Sequence, residues 1–448
     1  MTTTPFVLPI PYDDVSAALA LAAGEEVGAF LDSSDGTGCS YLAVDPVRVI
    51  VAGEKGVTVN GAPVDGDPFA VLERELAGRR RRALPGLPPF QGGAVGFLGY
   101  ELGRHLEKLP PPHPDDLGFP DMVIGVFDTV VAFDHGSRSG FVLAPDRARA
   151  NALAARLREA KGEAGEEEEG GGGWTAEVSR AAHEAKVRRV IDLIEAGDVI
   201  QVNVAQRFLA ELPARASQQG LYRRLRALSP APFGAWVGCG AGRCLLSASP
   251  ERFLRLWPDG RVQTRPIKGT RPRGTTAAAD AALARELDAS AKDRAENLMI
   301  VDLLRNDLSR VCAVGSVTVP SLCRVETFAA VHHLVSVVEG RLRSGLTAID
   351  LLRATFPGGS VTGAPKIRAM EIIHELEPWR RGPYCGAVVW IGDDGAMDSS
   401  IAIRTLIVSG RTVAAHAGGG IVADSAPADE YDETMVKASA LLRAVAPR

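Results

Sequence analysis

Alternating apolar and polar positions recur along this chain and predict a protein rich in β-strands. Before residue 160, short β-rich runs at 122–127 and 130–133 are separated by turn residues, which indicates a mostly antiparallel sheet. Near the carboxyl end, runs at 387–391, 401–408 and 413–417 are joined by Asp-Asp-Gly and Ser-Gly turns. These turns favour hairpins, so we expect a meander of strands there.

Other segments have the three-to-four residue spacing of apolar positions that is typical of amphipathic helices. The clearest predicted helix covers 177–196, and Gly197 provides its stop signal. Further helices are predicted near 291–311, 365–375 and 428–445. Strand and helix patterns together predict an α+β fold in which the sheets dominate.

One segment has the composition of a linker. Residues 161–173 read KGEAGEEEEGGGG, an acidic run followed by four glycines. Such a segment buries no apolar surface and forms a helix only at high conformational cost. We therefore predict an N-terminal domain over 10–160, a linker over 161–175 and a C-terminal domain over 176–445.

Composition excludes several classes of protein. The 448 residues are 46% apolar and 23% charged, which is ordinary for a globular protein with a substantial core. A net charge of −5 without a long basic block argues against nucleic acid as a partner. No apolar stretch is long enough to span a bilayer, and the first residues lack the charged start of a signal peptide. We expect a cytoplasmic protein that does not contact membranes.

Two predicted helices each carry a pair of carboxylates one turn apart. Glu296 shares the apolar face of its helix with Ile300, and Asp293 lies one turn earlier. Glu430 and Glu433 repeat this spacing in the last helix. A single pair is equally consistent with surface acids near a helix N-terminus. Two pairs together favour an all-oxygen site of the kind that suits Mg²⁺.

One lysine has an unusual sequence context, and the chain contains few lysines. Only eight of the 50 basic side chains are lysine, and Lys268 stands between Ile267 and Gly269. Desolvation there would lower its pKa and free the amine as a nucleophile, for which Glu251 could shuttle the proton. These residues alone are also consistent with a surface lysine at a strand-to-loop junction.

Two glycine-rich segments are candidate anion sites. Residues 356–366 superficially match a phosphate loop, but Ala364 and Pro365 stand where that motif requires Lys and Ser or Thr, so nucleotide binding is rejected. A glycine-rich turn before a helix can still offer backbone N–H groups to a carboxylate. Gly418 to Gly420 follow a predicted strand and permit a similarly close approach.

Two further polar residues are predicted to lie on strands. Arg404 falls within the predicted 401–408 strand, where an arginine either pairs with a structural acid or binds a ligand carboxylate. His333 alternates with valines on one strand face, and the spacing by itself favours a core histidine.

Several of these segments, in their order along the chain, resemble the chorismate-binding family. The fold that this resemblance implies has large antiparallel β-sheets sandwiched with surrounding helices. The matching strings are IQVNVAQRF at 200–208, SPERF at 249–253, PIKGTR at 266–271, AENLMIVDL at 295–303, and the segments 358–370, 401–405 and 418–425.

Lys268 distinguishes the branches of that family. Anthranilate synthases usually have alanine in this motif, whereas aminodeoxychorismate synthases have lysine, as here. Gln201 stands where isochorismate synthases carry a water-activating lysine, which disfavours water addition. The resemblance thus implies exchange of the C4 hydroxyl of chorismate for an amino group, giving 4-amino-4-deoxychorismate on the route to 4-aminobenzoate and folate.

The resemblance also implies residue roles. Lys268 would attack C2 of chorismate, Glu251 would act as general acid and base, and His333 would assist departure of the hydroxyl. Glu296 and Glu433 would hold Mg²⁺, with Asp293 and Glu430 outside the direct ligands. Residues implied to contact the substrate are Gln201, Thr362, Gly363, Arg404, Gly418, Gly419, Gly420 and Lys437.

Ammonia is expected from a partner. The chain has no Gly-x-Cys-x-Gly nucleophile context for hydrolysing glutamine, so a separate glutamine amidotransferase subunit is expected. Some relatives bind tryptophan, and Ser33 with Pro232, Phe233 and Gly234 lie at comparable positions. The usual Leu-Leu-Glu-Ser is here Phe-Leu-Asp-Ser, a departure from the pattern of tryptophan-inhibited enzymes.

Two other functions remain open at this point. One is the anthranilate synthase component I reaction, in which ammonia enters at C2 and pyruvate is lost. The other, from a different class, is a non-catalytic regulatory subunit that only binds chorismate. The complete set of Glu251, Lys268, Glu296, His333 and Glu433 argues against the latter.

Overall fold

The computed structural model describes residues 4–160, 173–213, 216–328 and 331–445. Residues 161–172 of the predicted linker lie outside these ranges, and the division into two domains stays a prediction. Along the described chain, no helix combines the length and the apolar character needed to cross a lipid bilayer.

Strands make up most of the regular structure. The strands before residue 161 are β1 (Phe6–Ile10), β2 (Ala29–Asp32), β3 (Cys39–Ala43), β4 (Arg48–Gly53), β5 (Gly56–Val59), β6 (Ala62–Val64), β7 (Gly93–Leu98), β8 (Met122–Phe127), β9 (Val130–Asp134) and β10 (Ser139–Ala144). Those after residue 172 are β11 (Thr175–Ala176), β12 (Gln201–Glu211), β13 (Phe233–Gly238), β14 (Arg243–Ser249), β15 (Arg252–Leu256), β16 (Arg261–Thr264), β17 (Ile267–Pro272), β18 (Thr318–Thr327), β19 (Val331–Arg341), β20 (Gly363–Ala364), β21 (Ala387–Gly392), β22 (Met397–Ile401), β23 (Thr405–Ser409) and β24 (Thr412–Ile421).

The α-helices surround these strands. In chain order they are α1 (Val15–Ala23), α2 (Pro68–Ala77), α3 (Arg147–Glu159), α4 (Arg180–Glu195), α5 (Gln218–Leu228), α6 (Ala277–Ala289), α7 (Ala291–Ser309), α8 (Ala348–Thr355), α9 (Lys366–Leu376) and α10 (Pro427–Val445). Several begin at a side-chain cap, as at α7, where Ser290 accepts a hydrogen bond from the backbone N–H of Asp293.

The described strands form two antiparallel sheets of twelve strands each. Sheet A has the order β1-β10-β9-β3-β2-β13-β14-β23-β24-β12-β11, with β20 paired to β12. Sheet B has the order β17-β19-β16-β15-β22-β21-β7-β8-β4-β5-β6, with β18 paired to β19. Each sheet therefore combines strands from both sides of residues 161–172, through β2 with β13 and β7 with β21.

A shared hydrophobic core lies between the sheets. Val237 and Leu245 of sheet A and Phe97 and Ile124 of sheet B belong to one cluster of buried side chains. The other face of sheet A packs against α1, α3, α5 and α10. The predicted α+β fold of large antiparallel sheets with surrounding helices is confirmed.

The predicted elements agree with the structure except at one strand. Helices expected near 291–311, 365–375 and 428–445 are α7, α9 and α10. The single strand predicted at 401–408 is wrong, because the chain leaves sheet B at Ile401 and enters sheet A at Thr405. Arg404 therefore lies in the connection, with a φ of 52°, and not in the middle of a strand.

A buried ion pair joins the end of α9 to the backbone of β12 and to the backbone of the turn around Val361. Arg381 donates to both carboxylate oxygens of Glu377, at 2.7 and 2.8 Å, and both side chains are 1% exposed. Arg381 also donates to the carbonyls of Val361 and Asn203, while Glu377 accepts from the backbone N–H of Ala205. This pair fixes the turn around 361 against β12.

Removing one partner of this pair should be costly. We expect Arg381→Met to lower the free energy of unfolding by about 3–5 kcal/mol, because the Glu377 carboxylate is left buried without its counter-ion. The exposed pair of Arg305 and Asp302 on α7 provides the control, and Arg305→Met should cost less than about 1 kcal/mol. Urea denaturation measures both, and equal losses would contradict the proposed role of the buried pair.

Candidate active site

Two connections between the sheets run side by side at the centre of the candidate site. The chain passes from β14 of sheet A to β15 of sheet B through Glu251, and from β22 of sheet B to β23 of sheet A through Arg404. The backbone N–H of Ile401 donates to the carbonyl of Glu251, and that of Ala248 donates to the carbonyl of Arg404. These hydrogen bonds hold the two functional candidates on neighbouring backbones.

Lys268 lies on β17 at the edge of sheet B, paired with Leu334 of β19. Burial lowers the pKa of its ammonium group, and the nearby charges that act on it are Glu296, Lys437, Glu251 and Glu433. Five of the predicted site residues therefore share one electrostatic environment. The alternative of a solvated surface lysine is not what the structure shows, because this side chain is partly buried among those groups.

The residue after Lys268 must be small. Gly269 has a φ of 78° where the register with β19 shifts, and a Cβ there would lie 2.8 Å from Cγ of Asp293. Glycine alone adopts this conformation and permits this approach without strain. The Asp293 carboxylate accepts from Arg271 at 3.3 Å, which places it beneath β17.

His333 lies on β19 and faces the same region. Its Nδ1 shares a 2.9 Å hydrogen bond with the Thr270 hydroxyl, and burial lowers its pKa to about 4. The imidazole is therefore neutral near pH 7. Arg404 is half-buried nearby, its pKa is lowered by burial, and its charge acts on His333.

Glu251 is a buried carboxyl with a fixed partner. The Ser360 hydroxyl donates to its Oε1 at 2.7 Å. Burial raises the pKa of Glu251 to about 7, although the hydrogen bond from Ser360 and the charge of Lys268 act in the opposite direction. A carboxyl with such a pKa can both give and take a proton at neutral pH.

Sequence reasoning did not identify Ser360 as a functional residue. Its position in the glycine-rich turn gave no chemical signal until the fold brought that turn to Glu251. A buried carboxyl needs a hydrogen-bond donor. The one available signal in the sequence was therefore that the turn contains hydroxyl side chains that could donate to Glu251.

The two predicted carboxylate pairs lie on α7 and α10, and the charges of Glu296 and Glu433 both act on Lys268. Burial raises the pKa of Glu296 on α7 and of Glu430 on α10, and the mutual repulsion of these groups and Glu433 contributes. Ser425 donates to Glu430 at 2.7 Å. Burial alone would raise the pKa of Glu433 too, but the Lys437 ammonium 2.7 Å away holds it below its usual value.

The donor chemistry of this cluster fits a hard divalent cation. Its candidate ligands are carboxylate oxygens, which Mg²⁺ prefers. Burial raises the pKa values of Glu296 and Glu430, and repulsion between the neighbouring carboxylates adds to that effect. Among the described residues, no three His, Cys, Asp or Glu side chains lie close enough together to ligate one ion. The assignment of Mg²⁺ to Glu296 and Glu433 stays a prediction.

Gly419 and Gly420 of β24 lack a Cβ, and the side chains of neighbouring site residues occupy the space that a Cβ would need. A Cβ at Gly419 would lie 3.1 Å from Oε2 of Glu430 and 3.4 Å from Nζ of Lys437, which donates to the carbonyl of Gly418 at 3.0 Å. A Cβ at Gly420 would lie 2.3 Å from the Gln201 amide. The amide group of Gln201 is buried and makes no hydrogen bond within the described protein, which leaves both of its polar atoms available to a ligand.

The turn at 359–363 is held by its own hydrogen bonds. Thr362 donates its hydroxyl to the carbonyl of Gly358, and its own carbonyl accepts from the N–H of Asn203. Gly363 pairs with Val202 of β12 and has no space for a side chain, because a Cβ would lie 2.1 Å from the Gln201 carbonyl. Substrate contacts by Thr362 and Gly363 stay predictions.

The residues predicted for a tryptophan pocket line one cavity. Ser33, Pro232, Phe233 and Gly234 line a space of about 360 Å³, and Lys268 is not among the lining residues. The Ser33 hydroxyl is engaged by Asp35 and the carbonyl of Thr37. Binding of tryptophan in this cavity stays a prediction.

Comparison with known proteins identifies the family. A family model described as chorismate binding enzyme matches residues 28–443 of the chain. The chain belongs to the chorismate-binding enzyme family. The resemblance of its separate motifs is therefore confirmed over nearly the whole sequence.

Relatives from two branches of this family are similar at comparable levels. Aminodeoxychorismate synthase component 1 of Klebsiella aerogenes is 45% identical over 87% of this chain and 84% of that protein. Anthranilate synthase component 1 of Streptomyces coelicolor is 42% identical over 96% and 86%. The crystal structure of anthranilate synthase component I from Streptococcus pneumoniae matches with a TM-score of 0.80 at 35% identity, over 91% and 92% of the two chains. Overall similarity establishes the family but does not distinguish between the aminodeoxychorismate synthase and anthranilate synthase branches.

The raised pKa of Glu251 predicts how stability changes with pH. The folded protein binds this proton more tightly than the unfolded chain, so the stability from Glu251 is present below about pH 4.5 and is lost as the pH rises through about 7. Glu251→Gln removes this dependence. Urea denaturation at pH 5 and at pH 8 gives the unfolding free energy of the variant minus that of the original protein. We expect this difference to be more positive at pH 8 than at pH 5. A difference that is the same at both pH values would contradict the assignment.

Proposed function

We propose that this protein converts chorismate and ammonia to 4-amino-4-deoxychorismate, as the chorismate-binding component of an aminodeoxychorismate synthase. The observation that carries the proposal is the partly buried Lys268 amine beside Glu251. Burial favours the neutral amine, which is the nucleophilic form. The Klebsiella aerogenes relative bears the same function in its name.

The proposed reaction has two displacements. The Lys268 amine forms a bond to C2 of chorismate, the ring double bonds shift, and the C4 hydroxyl leaves as water with a proton from Glu251. Ammonia then forms a bond to C4, the double bonds shift back, and the Lys268 amine leaves C2. Glu251 accepts the proton that ammonia loses, so the enzyme returns to its initial state.

Other residues would orient the substrate during these steps. The neutral His333 imidazole, held by Thr270, can donate a hydrogen bond to the departing hydroxyl. Arg404 and Lys437 would attract the substrate carboxylates, and the unpaired Gln201 amide would supply a polar contact. Glu296 and Glu433 would hold Mg²⁺, with Glu430 and Asp293 nearby. When bound, that ion would neutralise the ring carboxylate.

The ammonia would come from a glutamine amidotransferase subunit. The names of several relatives designate them as component 1, which implies a second component. The product would feed 4-aminobenzoate and folate synthesis.

Anthranilate synthesis is the second candidate function. The Streptomyces coelicolor and Streptococcus pneumoniae relatives carry that name, and identity does not separate the branches. The two reactions differ in the position that ammonia attacks, so the product distinguishes them.

Product analysis tests the proposal directly. Purified protein is incubated with chorismate, Mg²⁺ and an ammonium salt, and the product is identified by chromatography and mass spectrometry. We expect 4-amino-4-deoxychorismate. Anthranilate would overturn the proposal, and no turnover with either ammonia or an amidotransferase partner would favour a regulatory subunit.

Lys268→Arg tests the role of the amine. Arginine keeps the positive charge but stays protonated, so it cannot act as the nucleophile. We expect kcat to fall by about 10³-fold or more, a loss typical of covalent nucleophiles. Lys108→Arg, at an exposed position, is the matched control and should keep normal activity. An active Lys268→Arg enzyme that forms the same product would contradict the covalent role.

A further inference from the structure

A lysine outside the predicted catalytic set bridges the two carboxylate helices. Nζ of Lys292, in the first turn of α7, lies 4.0 Å from Oε1 of Glu296 on the same helix. The same ammonium lies 3.9 Å from Oε1 of Glu430 on α10. The two carboxylates are 18% and 5% exposed, whereas the Lys292 side chain is 54% exposed. The cation thus reaches the carboxylates from the solvent side.

The bridge lies within the site that is proposed for Mg²⁺. The Lys292 charge acts on Glu296, Glu430 and Glu433. Lys268 and Lys437 are the other ammonium groups whose charges act on this cluster. Of the three lysines, Lys292 is the most exposed and the only one whose ammonium lies within 4 Å of carboxylates on both helices, within the described part of the chain.

The side chain is suited to move. A lysine has a flexible four-carbon stem and a compact charge that water solvates strongly. Since more than half of the Lys292 side chain is already exposed, rotation into solvent would break weak contacts near 4 Å and no close hydrogen bond. The carboxylates that it leaves would then need another cation, because buried like charges repel each other.

We propose that Lys292 is a tethered counter-ion, which neutralises Glu296 and Glu430 while the site lacks a divalent cation and swings into solvent when Mg²⁺ binds. This inference rests on the metal site included in the proposed function. It makes Lys292 a positioning residue that competes with the metal. A consequence is that the free enzyme binds Mg²⁺ more weakly than its carboxylates alone would allow.

A purely structural role for Lys292 predicts a different result. An exposed ion pair contributes little to stability, and its loss would leave metal affinity unchanged. A competing ammonium, in contrast, sets the affinity for the metal. Direct binding measurements without chorismate separate these two roles.

The test compares four proteins by isothermal titration with MgCl₂ at low ionic strength. We expect Lys292→Met to tighten the dissociation constant about tenfold, and Lys292→Arg to bind no more tightly than the original protein. Lys55→Met, an exposed lysine in the turn between β4 and β5, is the matched control and should bind as the original protein does. Circular dichroism checks that each variant is folded.

Melting temperatures provide a second readout that remains informative if titration heats are small. Lys292→Met should melt lower without metal, and Mg²⁺ should raise its melting temperature by more than it raises that of the original protein. An unchanged or weaker Mg²⁺ affinity of Lys292→Met would overturn the counter-ion proposal alone. Absence of Mg²⁺ binding by all four proteins would overturn the metal site and this inference together, and the reaction of Lys268 would still stand on its own test.

Discussion

The buried pair of Arg381 and Glu377 is the interaction on which the geometry of the site depends. It joins the end of α9 to β12 through Asn203 and Ala205, and to the glycine-rich turn through Val361. That turn carries Ser360, which holds Glu251. A pair of opposite charges away from water must keep its partners, because the desolvation cost is recovered only when every hydrogen bond is made. The position of the Glu251 carboxyl thus depends on the buried ion pair through the glycine-rich turn and Ser360.

Charge balance also explains how one site can hold a partly buried lysine and several acids. Burial favours the neutral forms of Lys268 and Glu251, and it acts on the pKa values of the two groups in opposite directions. Two of the carboxylates on α7 and α10 are countered by a lysine, Glu296 by Lys292 and Glu433 by Lys437. Three of the eight lysines of this arginine-rich chain, Lys268, Lys292 and Lys437, lie at this site, and a lysine can be deprotonated or displaced more easily than an arginine.

Much of the fold was predictable because long periodic segments, such as α7 and α10, carry their own signal. The break at Arg404 was not predictable, since residues 401–408 are apolar except at Arg404 and Thr405, as in a buried strand. The site residues were predicted by motif resemblance, and their assembly from β17, α7, β24 and α10 is a tertiary property. Ser360 and Lys292 were missed for the same reason: a turn serine and an exposed helical lysine gain meaning only from carboxylates distant in sequence.

The proposed reaction depends on a covalent bond between Lys268 and the substrate ring. Intact-protein mass spectrometry after mixing with chorismate and Mg²⁺, without ammonia, measures this most directly. The covalent role of Lys268 predicts an added mass equal to chorismate minus one water, located on the peptide that contains Lys268 and lost when ammonia is supplied. An unmodified protein at every time point, in a preparation that forms 4-amino-4-deoxychorismate once ammonia is added, would contradict it.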